Sequence, residues 1–70
     1  MESDILIRFG KRIRELRIEK TWSQETLADK TGFHRTYIGM IERGERNLSL
    51  KNMEIFANSF GLLITDLIKF

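Results

Sequence analysis

Arg35, Thr36 and Tyr37 stand side by side with Gly39 close behind, and Arg43, Arg46 and Asn47 follow soon after. The set is poor in groups that make or break bonds and rich in groups that donate hydrogen bonds. A guanidinium such as that of Arg35 is a planar fork that fits guanine O6 and N7, a contact that discriminates against a wrong base by about 1–3 kcal/mol. Thr36 suits a base edge or a thymine methyl group. Tyr37 can bond a phosphate or lie against a flexible pyrimidine–purine step. Gly39 costs a helix about 1 kcal/mol relative to Ala, and its bare backbone gives an approaching duplex room.

Phosphate contacts fix register and carry the salt dependence of such binding, and they come from other positions. Gln24 falls at the start of a helix, where free backbone N–H groups and the helix dipole favour an anion. Arg43, Arg46 and Asn47 fall at the end of the helix that carries Arg35 and in the loop beyond it. Lys11 and Arg14 read as surface charges. Each base also has a plainer reading as part of a solvated, salt-bridged surface, and only their grouping around one helix favours a nucleic acid.

Catalysis and metal binding find no support in the composition. The 70 residues contain no Cys and one His, so neither a disulfide framework nor a zinc site is available. Glu42 acting as a base with His34 fails on placement, since His34 opens the helix two turns away; His34 reads as a cap. No paired carboxylates, nucleophile triad or phosphate loop appears, which predicts a protein that is not an enzyme and takes no cofactor and no small-molecule ligand.

The elements that position these residues follow from periodicity. Ile5, Phe9, Ile13 and Leu16 recur at helical spacing, predicting a first helix to about Lys20 with Ser3 or Asp4 as its cap. Ser23 caps a second helix, from Gln24 to Thr31, and Gly32 ends it in a left-handed conformation that carries no Cβ penalty. A third helix, about His34 to Arg43, buries Ile38 and Ile41 and stops at Gly44. Ser49 caps a fourth, in which Leu50, Met53, Phe56, Ala57 and Phe60 share a face and which Gly61 closes. A last turn, about Ile64 to Ile68, carries Leu67 and Ile68 inward. The fold class is all-α, a five-helix bundle forming a single domain over residues 1–70. Ala28, Gly32, Ile38 and Ile41 have the spacing of a helix-turn-helix, with Thr36, Gly39, Met40 and Arg43 on the outer face of its second helix. Glu42 points to the flank of the core, where a lone carboxylate is expensive, and Arg17 at the edge of the first stripe is its expected partner.

The chain carries 12 Lys and Arg against 10 Asp and Glu, for a formal charge of +2. Residues 8–46 hold ten bases and six acids while the two ends together are acidic, so the positive charge is unevenly distributed along the chain. No apolar run reaches the roughly 20 residues needed to span a bilayer, and the charged start lacks the basic region of a signal peptide. A cytoplasmic address is expected. Ile55, Leu62, Leu63 and Phe70 remain apolar after the core faces are filled, which predicts a two-fold homodimer interface. Such a pair sets two recognition helices about 34 Å apart and requires an inverted-repeat site in double-stranded DNA.

Gln24, Ala28, Gly32, Ile38 and the run Ile41-Glu42-Arg43-Gly44 resemble the phage-repressor-type helix-turn-helix family over essentially the whole chain. His34-Arg35-Thr36-Tyr37-Ile38, with Ile41 through Leu50, is similar more narrowly to the controller proteins of type II restriction–modification systems. The resemblance implies a homodimeric transcriptional regulator on palindromic operators, with Arg35, Thr36 and Tyr37 reading bases, Arg46 and Asn47 on the backbone, and Arg17 bonded to Glu42. Gly39 departs from the larger residue, often Ser, usual in that subfamily, and Leu63 replaces a polar cap before the last helix. The alternative reading is an antitoxin-type protein with the same DNA face whose C-terminal apolar surface covers a toxin.

Overall fold

A computed structural model describes residues 4–70. Its five helices are α1 (Asp4–Glu19), α2 (Gln24–Thr31), α3 (Arg35–Glu42), α4 (Leu50–Ser59) and α5 (Ile64–Leu67), with no strand among the described residues. The expected all-α bundle with a helix-turn-helix at α2 and α3 is what the chain forms.

Local chemistry sets most helix ends. Ser23 Oγ accepts from the Thr26 amide at 3.0 Å and Ser49 Oγ from that of Asn52 at 3.1 Å, each satisfying one of the amides a helix start leaves free. His34 caps α3 through Nδ1, which accepts from the Thr36 amide. Gly32 ends α2 at φ 81°, with its amide on Ala28 O. The end of α1 is less conventional. Thr21 takes φ 60°, a region that a β-branched residue seldom enters, while the Trp22 amide closes onto Arg17 O. Of the expected caps of α1, Ser3 lies outside the described residues; Asp4 supplies a carboxylate in the first turn.

Phe9, Ile13 and Leu16 of α1 bury against Leu27 and Ala28, Ile38 and Ile41, Phe56, Ala57 and Phe60, and Leu67. Phe9 and Phe56 meet edge to face, and Trp22 stacks on Phe60. The decisive contact between α1 and α3 involves no side chain on one partner: a Cβ at Gly10 would stand 2.8 Å from the Glu42 carbonyl oxygen, so the two backbones touch there. With the backbones in contact, the buried residues of α1 are Phe9, Gly10, Ile13 and Leu16. Ile5, expected in the stripe, is left at the edge and 53% exposed.

Three further expectations about the core are corrected. Leu50 heads α4 beyond the reach of the other elements and is 72% exposed. Ile68 faces solvent because α5 ends at Leu67, which alone is buried. Leu62 is half-buried against the core, since its amide bonds Ala57 O and draws the turn after α4 inward. Leu63 provides no side-chain bond at the start of α5. The other end of α5 is held from α1: Arg12 donates to Leu67 O and Asp66 O at 3.1 and 2.7 Å, and Arg8 donates to Phe70 O. These arginines supply the donors that helix C-terminal carbonyls lack.

Candidate nucleic-acid interface

Ile38 and Ile41 are fully buried beneath α3, and that anchoring decides which residues face out. Arg35 and Thr36 are exposed on the first turn, beyond the His34 cap. His34 Nδ1 accepts from the Thr36 amide, so the ring serves as the cap of α3. Among the described residues no group of acids and histidines could hold a metal ion, and no helix is long and apolar enough to cross a membrane.

Gly39 was expected to be open and is not. Its backbone is buried, with Arg43 Nη1 only 3.2 Å and Gln24 Oε1 3.8 Å from where a Cβ would lie. Arg43 runs back along the helix over the glycine, as helical side chains tend to. Glu45 receives its Nε and Nη2 at 2.8 and 3.2 Å, an exposed two-pronged pair. The hydrogen bond from Arg43 holds the Glu45 carboxyl below the usual carboxylate range, and the bond to Glu45 pushes the Arg43 guanidinium further up.

Tyr37 also departs from the expected row. It lies on the flank of α3, half-buried, with the edge of its ring against Phe33 and its hydroxyl accepting from Asn52 Nδ2 at 3.1 Å. The Arg46 guanidinium lies over the other part of that ring, 5.1 Å from its centroid. Tyr37 is therefore a platform joining α3, the following loop and the start of α4. Asn47 is exposed in the same loop and borders an apolar groove of about 360 Å³ lined by Ile5, Phe9, Leu48, Met53 and Phe70.

Gln24, expected at a phosphate, turns its side-chain amide inward to Glu42 Oε1 at 3.1 Å. Its backbone N–H remains at the start of α2, where Ser23 has taken only the amides of Thr26 and Leu27. Glu42 is in turn gripped by Arg17, Nε on Oε2 at 2.7 Å and Nη2 on Oε1 at 3.0 Å, and Arg17 Nη1 reaches Trp22 O. The hydrogen bond to Glu42 pushes the Arg17 guanidinium above its ordinary value against the opposing effect of burial. One cluster thus ties α1, α2 and α3 together and fixes the angle at which α3 is presented.

The four residues expected at a dimer interface do not form one patch. Leu63 is 71% exposed, beside Ile64, and Ile64 borders a shallow groove with Leu50, Lys51 and Glu54. Ile55 is half-buried and Leu62 is drawn into the core. Phe70 lies in the other groove, edge-on to Phe9 and under the Arg8 guanidinium.

Sequence reasoning did not find Gly10, Asn52 or the pairing of Glu45 with Arg43. Asn52 had a readable signal, three residues after the Ser49 cap and on the side of α4 toward α3. Gly10 had none that a single sequence supplies.

Comparison with known proteins follows this geometry. The helix-turn-helix family pattern matches residues 13–67. The chain is similar to control protein C.BamHI of Bacillus amyloliquefaciens, 44% identical over 71 residues that cover 100% of this chain and 88% of that protein. Its structure is similar to the restriction–modification controller protein C.AhdI from Aeromonas hydrophila, with TM-score 0.85 and 47% identity, covering 89% of this chain and 94% of that one. It is also similar to the restriction–modification controller protein C.Esp1396I, seen as a tetramer in complex with its natural 35 base-pair operator, with TM-score 0.83 and 34% identity over 96% of this chain and 97% of that one.

Proposed function

The chain belongs to the helix-turn-helix family, and from that premise we propose that it is a sequence-specific, double-stranded DNA-binding transcriptional regulator of the restriction–modification controller type. It binds an inverted-repeat operator as a homodimer, in the cytoplasm, without a catalytic step. The observation that carries this reading is the outward turn of α3. Arg35 and Thr36 stand exposed on a helix whose opposite face is wholly buried, while the bases Arg43 and Arg46 flank it. A helix so anchored and so armed fits the major groove, with its N-terminal residues at base edges.

Arg35 and Thr36 read bases. Arg46, steadied on Tyr37, and Asn47 meet the backbone on one side, and the free amide of Gln24 meets it on the other. Arg17 and Glu42 touch no nucleotide and hold α3 in place. The apolar surface of Leu50, Leu63 and Ile64 covers its counterpart in the second protomer.

Salt-controlled titration of operator and random duplexes separates these roles. Arg35→Ala loses about 1–3 kcal/mol on the operator and relaxes the preference at one base pair per half-site. Arg46→Ala weakens all sequences about equally and lowers the salt slope by roughly one. An Arg35→Ala protein that binds both duplexes as the wild type does removes the reading, and a monomer by ultracentrifugation at micromolar concentration removes the dimer.

A further inference from the structure

We infer that Arg43 is a base-reading residue, admitted to the reading face by Gly39 and held there before binding by Glu45. The inference rests on the DNA-reading function proposed above and concerns how that face is built.

On the helical wheel, position 39 falls between Arg35 and Thr36, in the middle of the row that faces a groove. In this chain no side chain grows from that spot. The space is taken instead by the end of Arg43, whose Nη1 lies 3.2 Å and Cζ 4.0 Å from the missing Cβ. An arginine leaving the last turn of a helix toward a phosphate would extend away from the helix or along the following loop. This one lies along the helix, in line with Arg35 and Thr36, in space that a side chain at 39 would contest.

The contact with Glu45 adds a second observation. Glu45 accepts two parallel bonds from Nε and Nη2, and the pair is solvent-exposed on both sides, 58% and 46% by side chain. Nε and Nη2 form one edge of the guanidinium, and guanine O6 with N7 presents the same two-acceptor geometry to such an edge. Docking therefore exchanges one fork for another: the Glu45 carboxylate is released and the guanine edge takes its place. A base pair without that acceptor pair leaves Arg43 on Glu45 and a carboxylate close to the DNA, a repulsive element that sharpens the choice. Arg46, stacked on Tyr37 and without a carboxylate partner in the structure, has no such exchange to make.

Selection of bound duplexes from a random pool tests this with the full chain, using wild type, Arg43→Ala and Arg43→Lys. Wild type selects an inverted repeat containing a G·C pair that both Arg43 variants cease to prefer, with about a 5- to 150-fold loss on the wild-type site and little change once that pair is replaced. Equal weakening of every sequence by Arg43→Ala, with a salt slope lower by about one, makes Arg43 a phosphate contact and overturns the inference while leaving the regulator reading intact. A wild-type protein that selects no sequence overturns both.

Discussion

Among the described residues Arg17 is the sole cation on Glu42, and it reaches that carboxylate from a helix 25 positions earlier in the chain, with side-chain exposures of only 12% and 4%. Two parallel bonds on one carboxylate fix direction as well as distance. The pair therefore sets the orientation of α3 relative to α1, and with it the aim of Arg35 and Thr36.

Removing one member leaves the other buried and unpaired. Arg17→Met is expected to destabilise the fold by about 3–5 kcal/mol in urea unfolding. Arg17→Met with Glu42→Leu recovers most of that loss, because the uncompensated charge is gone. The double variant binds operator DNA less selectively than wild type in duplex titration, since a well-packed apolar pair does not impose one orientation. A double variant as unstable as Arg17→Met would show that the hydrogen bonds to Trp22 O and Gln24, rather than the ion pair, hold this junction.

Gly10→Ala places a methyl group on the Ile41 and Glu42 carbonyls. Backbone on both sides leaves nothing soft to yield, so the variant loses about 1–3 kcal/mol or more by thermal or urea unfolding. It does so despite the better helix propensity of alanine, worth about 1 kcal/mol in the opposite direction. Stabilisation by Gly10→Ala would mean that α1 and α3 do not touch as described.

Thr21→Gly is expected to raise stability by about 1 kcal/mol, read as a shift in the urea midpoint at unchanged slope. Threonine at φ 60° holds Cβ too near the following carbonyl, and glycine removes that strain without altering the closure of Trp22 onto Arg17. The entropy of the unfolded chain offsets part of the gain.

Glu45 titrates below its unfolded value because Arg43 bonds its charged form. The stabilisation from this pair is complete above the ordinary carboxylate range and fades as pH falls through the folded value. Carbon-detected titration of the Glu45 carboxyl at low salt should show the depression, and Arg43→Ala or high salt should abolish it. An unchanged midpoint in Arg43→Ala would assign the effect to another group.

The parts of the molecule that a reader of the sequence recovers are those set by neighbours in the chain. Ser23, Gly32, His34 and Ser49 mark helix ends because each cap satisfies amides or carbonyls within four residues. The Arg17–Glu42 pair was legible since each falls at the edge of an apolar stripe. Ile5 was misplaced because the rotation of a helix depends on what packs beside it, here Gly10 against backbone carbonyls, and Leu50 because it heads α4 beyond the reach of the other elements. The bonds of Arg8 and Arg12 were not legible because their partners are backbone oxygens, which every residue carries and no sequence distinguishes. Gly39 looked open because the residue that covers it lies one turn on and is detained by Glu45.

The bonds from Arg8 to Phe70 O and from Arg12 to Leu67 O join places 62 and 55 positions apart. During synthesis the first helix therefore waits for the last. A ribosome will have released α1, α2 and α3 before Phe56 emerges to meet Phe9, and Arg8 finds its acceptor only when residue 70 is clear of the tunnel.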